Sequence, residues 1–557
     1  MRLPEPVSSA ADSVGTSPER AGSIRATGTI GERGWEPVKP NYSLLMHPFD
    51  KGLKLYARTR LLRLAHEDVV ASQERMLRKL IAKAAGTVFG RQHGFENLRT
   101  VRDYQSAVPL RYHDDFWRDY WQSHFPRIEN ITWPGVYPYF AMSSGTTTGI
   151  NKYIPMTREL MRANSNAVGD LFVHHYNNVA RDRVFFGKIL LLGGSTDITW
   201  EAAGIGSGDM SGIEVKEAPF FARPWLFPPQ DLALIANWEE KIERLSRAAL
   251  NEDIRAIIGL PNWLLVFFER LFQLRPGSRT LADFWPNLEV IFHGGMSFAP
   301  YRQRFRELLS GRPAETREIY AASEGFFASA DRGDSEGLRL MTHSGLFYEF
   351  VPKSELSSPN PTRHWIGNAE PGIEYALVLT SCAGHWSYII GDTVRFVETR
   401  PPRILVTGRT KFYLSAFGEH LIAEEVEDAV GKALQETGLN IVEYAVGAIW
   451  PRKGESVGAH RYLIEFADAI PDQATIARFR KIVDERLIAL NEDYQRRRTK
   501  DLGMRMPEIT AVRAGGFSDW LKSCGKLGGQ HKVPRLVPDQ ALFESMQDFL
   551  TTTVISV

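Results

Sequence analysis

Over residues 60–84, RLLRLAHEDVVASQERMLRKLIAKA, apolar side chains recur at the spacing of one helix face, which predicts a long amphipathic helix. Downstream, short apolar runs alternate with helical stretches. VFFGKILLLGG and LEVIFHGG read as buried strands ending in glycine pairs, IEYALVLTS as another strand, and YRQRFRELLSG as a helix stopped by glycine. Strands alternating with helices, with glycines at the strand ends, predict an α/β fold whose ligand loops gather at one edge of a sheet. No internal repeat is visible.

Near residue 409 the pattern changes. PPRILVTGRTKFYLSAFGEHLIAEEVEDAVGKAL reads as a strand, a short hairpin entered through GRTK, and a helix. YAVGAIW, RYLIEF, the helical stretch ATIARFRKIVDERLIALNEDY and the Gly-rich basic segment SCGKLGGQHKVPRL follow. This is material for an α+β domain of roughly 145 residues, an ordinary size. The expected organisation is a disordered tail over 1–35, a large domain over 36–408, a hinge over 409–411 and a small C-terminal domain over 412–557.

Composition agrees with two domains, because 557 residues exceed what one core accommodates. Charged residues make up 24% and the formal net charge is +1, which predicts neither a nucleic-acid surface nor a polybasic membrane patch. Cys382 and Cys524 are too few for a disulfide framework, and no apolar run approaches the ~18 residues of a membrane span. The start, MRLPEPVSSAADSVGTSPERAGSIRATG, has no apolar segment of signal-peptide type and is rich in Ser, Gly, Pro, Ala and Arg. A cytoplasmic enzyme is the expected class.

Candidate chemistry begins with SSGTTTGINKYIP, residues 143–155. Such clusters make ordinary turns, but they also make phosphate cradles, where glycines admit an anion, hydroxyls and amide N–H groups donate, and a lysine adds charge. The P-loop pattern is not met, since Gly145 and Gly149 are too close and Tyr153 follows Lys152. FHGGMS (292–297) is a strand followed by two glycines. IYAASEGFF (319–327) places Glu324 after a strand, either simply solvated or suited to Mg²⁺ beside phosphate oxygens. SYIIGDTVRF (387–396) sets Asp392 in a hairpin turn or at a ribose, and GGQHKVPRL carries Lys532.

Each signal is weak alone, yet their order along the chain is that of adenylate-forming enzymes. Within that superfamily the sequence most resembles the auxin-responsive Gretchen Hagen family of acyl acid amido synthetases, in its bacterial form. SSGTTTGINKYIP shares that family's extra residue, and YAASEGFF, LNEDYQRRR, GKLGGQHKVPR and the segment from ASQERMLRKL to SAVPL resemble further signatures between about residues 43 and 540. The resemblance implies ATP and Mg²⁺ as cofactors, and a small-molecule carboxylic acid and an amino acid as substrates. It implies that Ser143, Ser144, Thr146, Thr147 and Lys152 hold the ATP phosphates, and that Gly294, Gly295 and Tyr320–Ala322 (with Ala321 between) bound the adenine, Tyr320 stacking on it. Glu324 would bind Mg²⁺, Asp392 with Arg409 the ribose, and Lys532 the α-phosphate and carboxylate during adenylation. Lys411 stands where the superfamily has its hinge residue.

An apolar acyl pocket is expected, walled by IRAIIGLPNWLLVFFERLF (254–272), with Trp263 and the backbone near Gly259, Met296 and Phe326 as candidates. A core helix is the plain alternative for that stretch. One departure stands out. Plant members carry G-L-Y-R-Y-R-x-G-D where this chain has GHWSYIIGD, so Ser387 and Ile389 replace two arginines. The expected function is ATP-dependent activation of an acid as an acyl-adenylate, then transfer to an amino acid amine. An acid–CoA ligase and a catalytically inactive nucleotide-binding protein are the alternatives.

Overall fold

In the computed structural model of the chain, the helical pattern over 60–84 is divided between two helices, Ser43–Ala65 and Val69–Ala84. Asp68 causes the break: its carboxylate accepts from the amide of Ala71 at 3.1 Å and caps the second helix. The described residues are 43–551 without 145–150, 179–182, 194–197, 221, 236, 297, 312–313, 334–335, 411–412, 415, 418, 420, 451–457, 499–503 and 526–531. The expected tail over 1–35 and Lys411 of the expected hinge therefore lie outside the described residues.

A twelve-stranded sheet dominates. Leu226–Phe227, Lys188–Leu192, Ile254–Gly259, Val290–Gly294 and Glu315–Ala322 pair in parallel, in that spatial order. From Gly325–Ser329 onward every pairing is antiparallel, through Leu338–Leu340, Pro402–Arg409, Tyr388–Thr399, Glu374–Ser381, Leu346–Pro352 and His364–Trp365. The switch falls at the turn Ser323–Glu324. Parallel strands are buried on both faces. Here the helix Arg158–Asn178 covers one face, packing Ala167, Leu171 and Phe172 on Ile189, Ala256, Val290 and Phe292. Helices Trp238–Ala249, Pro261–Leu274 and Arg302–Leu308 cover the other.

Three smaller sheets accompany the large one among the described residues. Tyr139–Ser144 and Asn151–Met156 form an antiparallel pair, joined by Ile205–Gly208 and Thr199–Ala202. After Arg409, a hairpin of Tyr413–Leu414 with Leu421–Ile422 leads into the helix Ala423–Thr437. Beyond it, Glu508–Val512, Ala459–Phe466, Ile441–Ile449 and Leu536–Val537 make a separate four-stranded sheet. Alternate side chains of Ile441–Ile449 serve its two faces: Tyr444 and Val446 pack with Val430, Phe479 and Leu487, while Ala445 packs with Trp520, Phe543 and Met546. No described helix is long and apolar enough to cross a membrane.

Candidate functional site

The parallel strands deliver their carboxyl ends, Leu192–Gly193, Gly259, Gly294–Gly295 and Ala322, to one cavity of about 1960 Å³. Ligands of open α/β sheets bind at such ends. Gly294 is fixed by space, because a Cβ there would meet Ile319 O at 2.3 Å. Gly295 has φ +76°, and a Cβ would meet Lys532 Nζ at 2.7 Å.

The charged side chains of the cavity are tied together. Asp392 and Arg409 are register partners on adjacent strands, and Arg409 Nε lies 3.0 Å from Asp392 Oδ1. Tyr320 donates its hydroxyl to Asp392 Oδ2 at 2.6 Å, and its ring meets Phe327 edge-on at 4.9 Å. Both Asp392 oxygens are thereby oriented, from the interior of a strand rather than from a hairpin turn. Asp392 in turn raises the Arg409 guanidinium above its ordinary value, while burial raises the Tyr320 phenol.

Glu324 is not the simply solvated residue of the plainer sequence reading. It sits in the tight turn between Glu315–Ala322 and Gly325–Ser329, is buried, and accepts from the Tyr388 hydroxyl at 2.9 Å. Burial raises its carboxyl, Asp392 adds to the rise, and Lys152 opposes it. Lys152 stands on Asn151–Met156 opposite Ser143 and lines the cavity. Thr146 and Thr147 lie outside the described residues, as do the side chains of Ser143 and Ser144.

Lys532 reaches this cluster from the C-terminal region and donates to the carbonyl of Gly295. Burial and the neighbouring Arg409 push its amine down to about 8. Arg535, three residues on, is the anchor. Its guanidinium pairs with Glu443 at 2.7 Å, lies 4.2 Å over the Tyr444 ring and donates to the Tyr301 hydroxyl. Asn262, in the first turn of Pro261–Leu274, donates to the other Glu443 oxygen at 3.1 Å. Sequence reasoning missed both Arg535 and Tyr388. Both stand inside quoted motifs, but which partner each holds depends on chain segments remote in sequence.

Trp263, Met296 and Phe326 all line the same cavity, together with Ala321 and Ala322. Trp263 also packs on Trp238 with ring centroids 5.1 Å apart, and Phe326 is largely buried between the sheet and Arg158–Asn178. The two lost arginines prove remote from the cavity wall. Tyr388 and Ile390 face the cavity. Ile389, on the opposite face, packs with Val351, Ala376 and Val378, and Ser387 Oγ accepts from Arg363 Nη2 at 2.6 Å. Arg363 pairs there with buried Glu349 at 2.8 Å.

Comparison with known proteins agrees along most of the chain. Residues 58–234 and 227–314 match the GH3 family N-terminal domain, 339–409 the GH3 family central domain and 424–541 the GH3 family C-terminal domain. Indole-3-acetic acid-amido synthetase GH3.3 of Arabidopsis thaliana is 26% identical over 354 residues, covering 58% of each chain. GH3.8 of Oryza sativa subsp. indica, another indole-3-acetic acid-amido synthetase, is 30% identical over 49% of this chain and 46% of its own length. The chain thus spans about half the length of these curated relatives. Among solved structures, the GH3.15 acyl acid amido synthetase superposes with a TM-score of 0.72 at 18% identity, over 89% of this chain and 96% of that one. A 2-hydroxyisobutyryl-CoA ligase in the postadenylation state gives 0.56 at 14% identity, over 86% and 92%. At these identities the likeness is one of fold.

Proposed function

The chain belongs to the GH3 family, and from that premise and the cavity's charged end we propose that it joins a carboxylic acid to an amino acid through an acyl-adenylate made from ATP. A carboxylate is a poor acyl donor because its leaving group would be an oxide. Attack of the acid oxygen on the α-phosphorus of ATP expels pyrophosphate and leaves a mixed anhydride, from which AMP departs readily. The amino acid nitrogen then attacks the acyl carbon, AMP leaves, and the amine proton passes to solvent.

The observation that carries this reading is the position of Lys532. It comes from the C-terminal region to the carbonyl of Gly295, in the cavity that also holds Glu324 and the Asp392–Arg409 pair. A cation there meets charge developing between the α-phosphate and the acid. In this reading Asp392 and Arg409 take the ribose hydroxyls, and Lys152 with Ser143, Ser144, Thr146 and Thr147 takes the phosphates. Tyr320 and the Gly294–Gly295 backbone border the place left for the base.

Mg²⁺ fits the residues present. It is commonly bound by one or two carboxylates completed by substrate phosphates. Glu324 supplies one carboxylate, and among the described residues no group of three or more His, Cys, Asp or Glu side chains forms a protein cage. When bound, the ion would neutralise phosphate charge. Glu324 would hold it, with Tyr388 fixing the orientation of that carboxylate.

The two steps make different demands on Lys532, which the amine must replace in the second. We assign 409–411 as the hinge and 412–557 as the body that turns on it. Supporting this, Arg409 ends its strand of the large sheet, and the four-stranded sheet is built wholly from residues after it. A reducing, cytoplasmic setting belongs to the same proposal. It is supported by the two cysteines, which are both free.

The test is mass spectrometry of products formed from protein, ATP, Mg²⁺ and an acid panel, with amino acids or with coenzyme A. Amide products with coenzyme A ignored are expected. A thioester as the dominant product would move the chain to the acid–CoA ligases, and no acid-dependent AMP at all would leave it a nucleotide-binding protein.

A further inference from the structure

Away from the charged cluster, the cavity runs between the helix Arg158–Asn178, the helix Met210–Lys216 and the sheet. Its wall there is mixed: Met161 and Val168 on the first helix and Ile189 and Ile258 on the strands are apolar, while Arg158, Arg162 and Ser165 of the first helix and Ser211 of the second also line the cavity. One hydrogen-bonded polar pair stands beside the apolar residues. Glu214, on Met210–Lys216, lines the cavity and accepts from Asn164 Nδ2 at 3.0 Å. Asn164 is itself 4% exposed.

Among the described residues this is the one hydrogen bond to the Glu214 carboxylate, which has room for several more donors. The charge acting on it is that of Asp209, also negative, and burial with that neighbour pushes the Glu214 carboxyl up to about 6. Lys241, the buried cation of this region, is directed elsewhere: it donates to Gly193 O at 3.1 Å and is influenced by Asp209. A carboxylate withdrawn from water is costly unless donors meet it. In its ionised form the Glu214 carboxylate only accepts hydrogen bonds.

We propose that the acid taken by this cavity carries a hydrogen-bond donor, a hydroxyl or an amino group, on the end remote from its carboxylate, and that Glu214, held by Asn164, receives it. The proposal rests on the acyl-adenylate reading of the same cavity. An apolar body would then lie along Met161, Val168 and Ile258, with the reacting carboxylate toward Gly295 and Lys532. The same arrangement disfavours a second carboxylate set directly against Glu214, because like charges repel.

The test uses matched acids: 3-phenylpropanoate with its 4-hydroxy, 4-amino and 4-carboxy derivatives, and hexanoate with 6-hydroxyhexanoate. Acid-dependent pyrophosphate release gives kcat/KM, and calorimetry gives Kd independently of turnover. The expected result is at least a tenfold preference for a donor-bearing acid over its plain counterpart, with the 4-carboxy acid weakest. Glu214→Leu should bring that ratio to one or below, and Glu214→Gln, which keeps an acceptor oxygen, should retain part of it.

A ratio near one in the unaltered protein, or one unmoved in folded Glu214→Leu, overturns the inference. If Glu214→Leu fails to fold, the Glu214→Gln and unaltered-protein ratios decide alone. If acids bind but none yields pyrophosphate, the catalytic reading fails while the binding ratio still decides this one. Failure of every donor-bearing acid to bind more tightly than its plain counterpart also overturns it.

Discussion

At one end of the cavity Tyr320, Asp392 and Arg409 hold one another and Tyr388 holds Glu324, whereas at the other the Asn164–Glu214 pair stands beside Met161, Val168, Ile189 and Ile258. The charged end is pre-organised. Each Asp392 oxygen already has a partner, and the strand register alone brings Arg409 opposite Asp392. Such a construction suits a ligand that never varies, as a nucleotide does not. The other end is shaped by helix and strand side chains that also serve the core, so substitutions there change the fit without touching the nucleotide. Breaking either end should therefore give distinct kinetic signatures.

The largest effect is expected at Lys532. Lys532→Ala should lower acid-dependent pyrophosphate release by about 10²–10³-fold, the usual loss of one pre-placed electrostatic partner. Transfer from a chemically prepared acyl-adenylate to the amino acid should continue. Equal damage to both half-reactions in a folded protein would remove the two-position role given to this lysine.

The anchor behind that lysine comes next. Arg535→Met strands the buried Glu443 carboxylate, for which a loss of about 3–5 kcal/mol is typical. Thermal or denaturant unfolding measures it, and a stability change below about 1 kcal/mol would show that the Arg535–Glu443 pair is dispensable.

Tyr388→Phe sharpens the comparison further. Removing the hydroxyl that orients Glu324 should reduce activity by about tenfold, in the range seen for groups that position a metal ligand. It should also raise the Mg²⁺ concentration needed for half-maximal rate, leaving KM for the acid unaltered. A purely packing role would lower stability without shifting the Mg²⁺ dependence.

The smallest effect to resolve is a pH dependence. With the Lys532 amine lowered to about 8, the cation is present below that pH and lost above it. In the free enzyme kcat/KM for ATP should fall as pH rises through about 8, approaching tenfold per pH unit beyond it. Lys532→Arg, whose guanidinium stays charged, should flatten this limb at a lower rate. An alkaline limb unchanged in Lys532→Arg would assign the titration to another group.

The contrast between the two ends also explains what the sequence disclosed. Gly294–Gly295 and Glu324 stand where strands end and so interrupt apolar runs visibly. Asp392, inside a strand, and Lys532, on a Gly-rich basic segment, were singled out instead by the order of motifs and the family resemblance. The α/β class and the strands around 190, 290 and 378 followed from the same alternation. Asn164 and Glu214 were hidden, because on helices a polar residue reads as solvent-facing until the packing is known. Asp68 was hidden too, since a cap amid helical periodicity resembles one more polar position. Arg535 and Glu443 lie far apart in sequence, with two strands of the C-terminal sheet between them along the chain, and no local spacing links them.

The central claim is that the charged end activates an acid at the expense of ATP, and acid-dependent ATP–pyrophosphate exchange without any acceptor tests it most directly. The account predicts exchange that requires both Mg²⁺ and a carboxylic acid, is abolished by EDTA, and is at least a hundredfold lower in Glu324→Ala of unchanged fold, the loss of a pre-placed electrostatic partner. Exchange that proceeds without acid or persists in EDTA, or its absence with every acid tested although ATP binds, would contradict it.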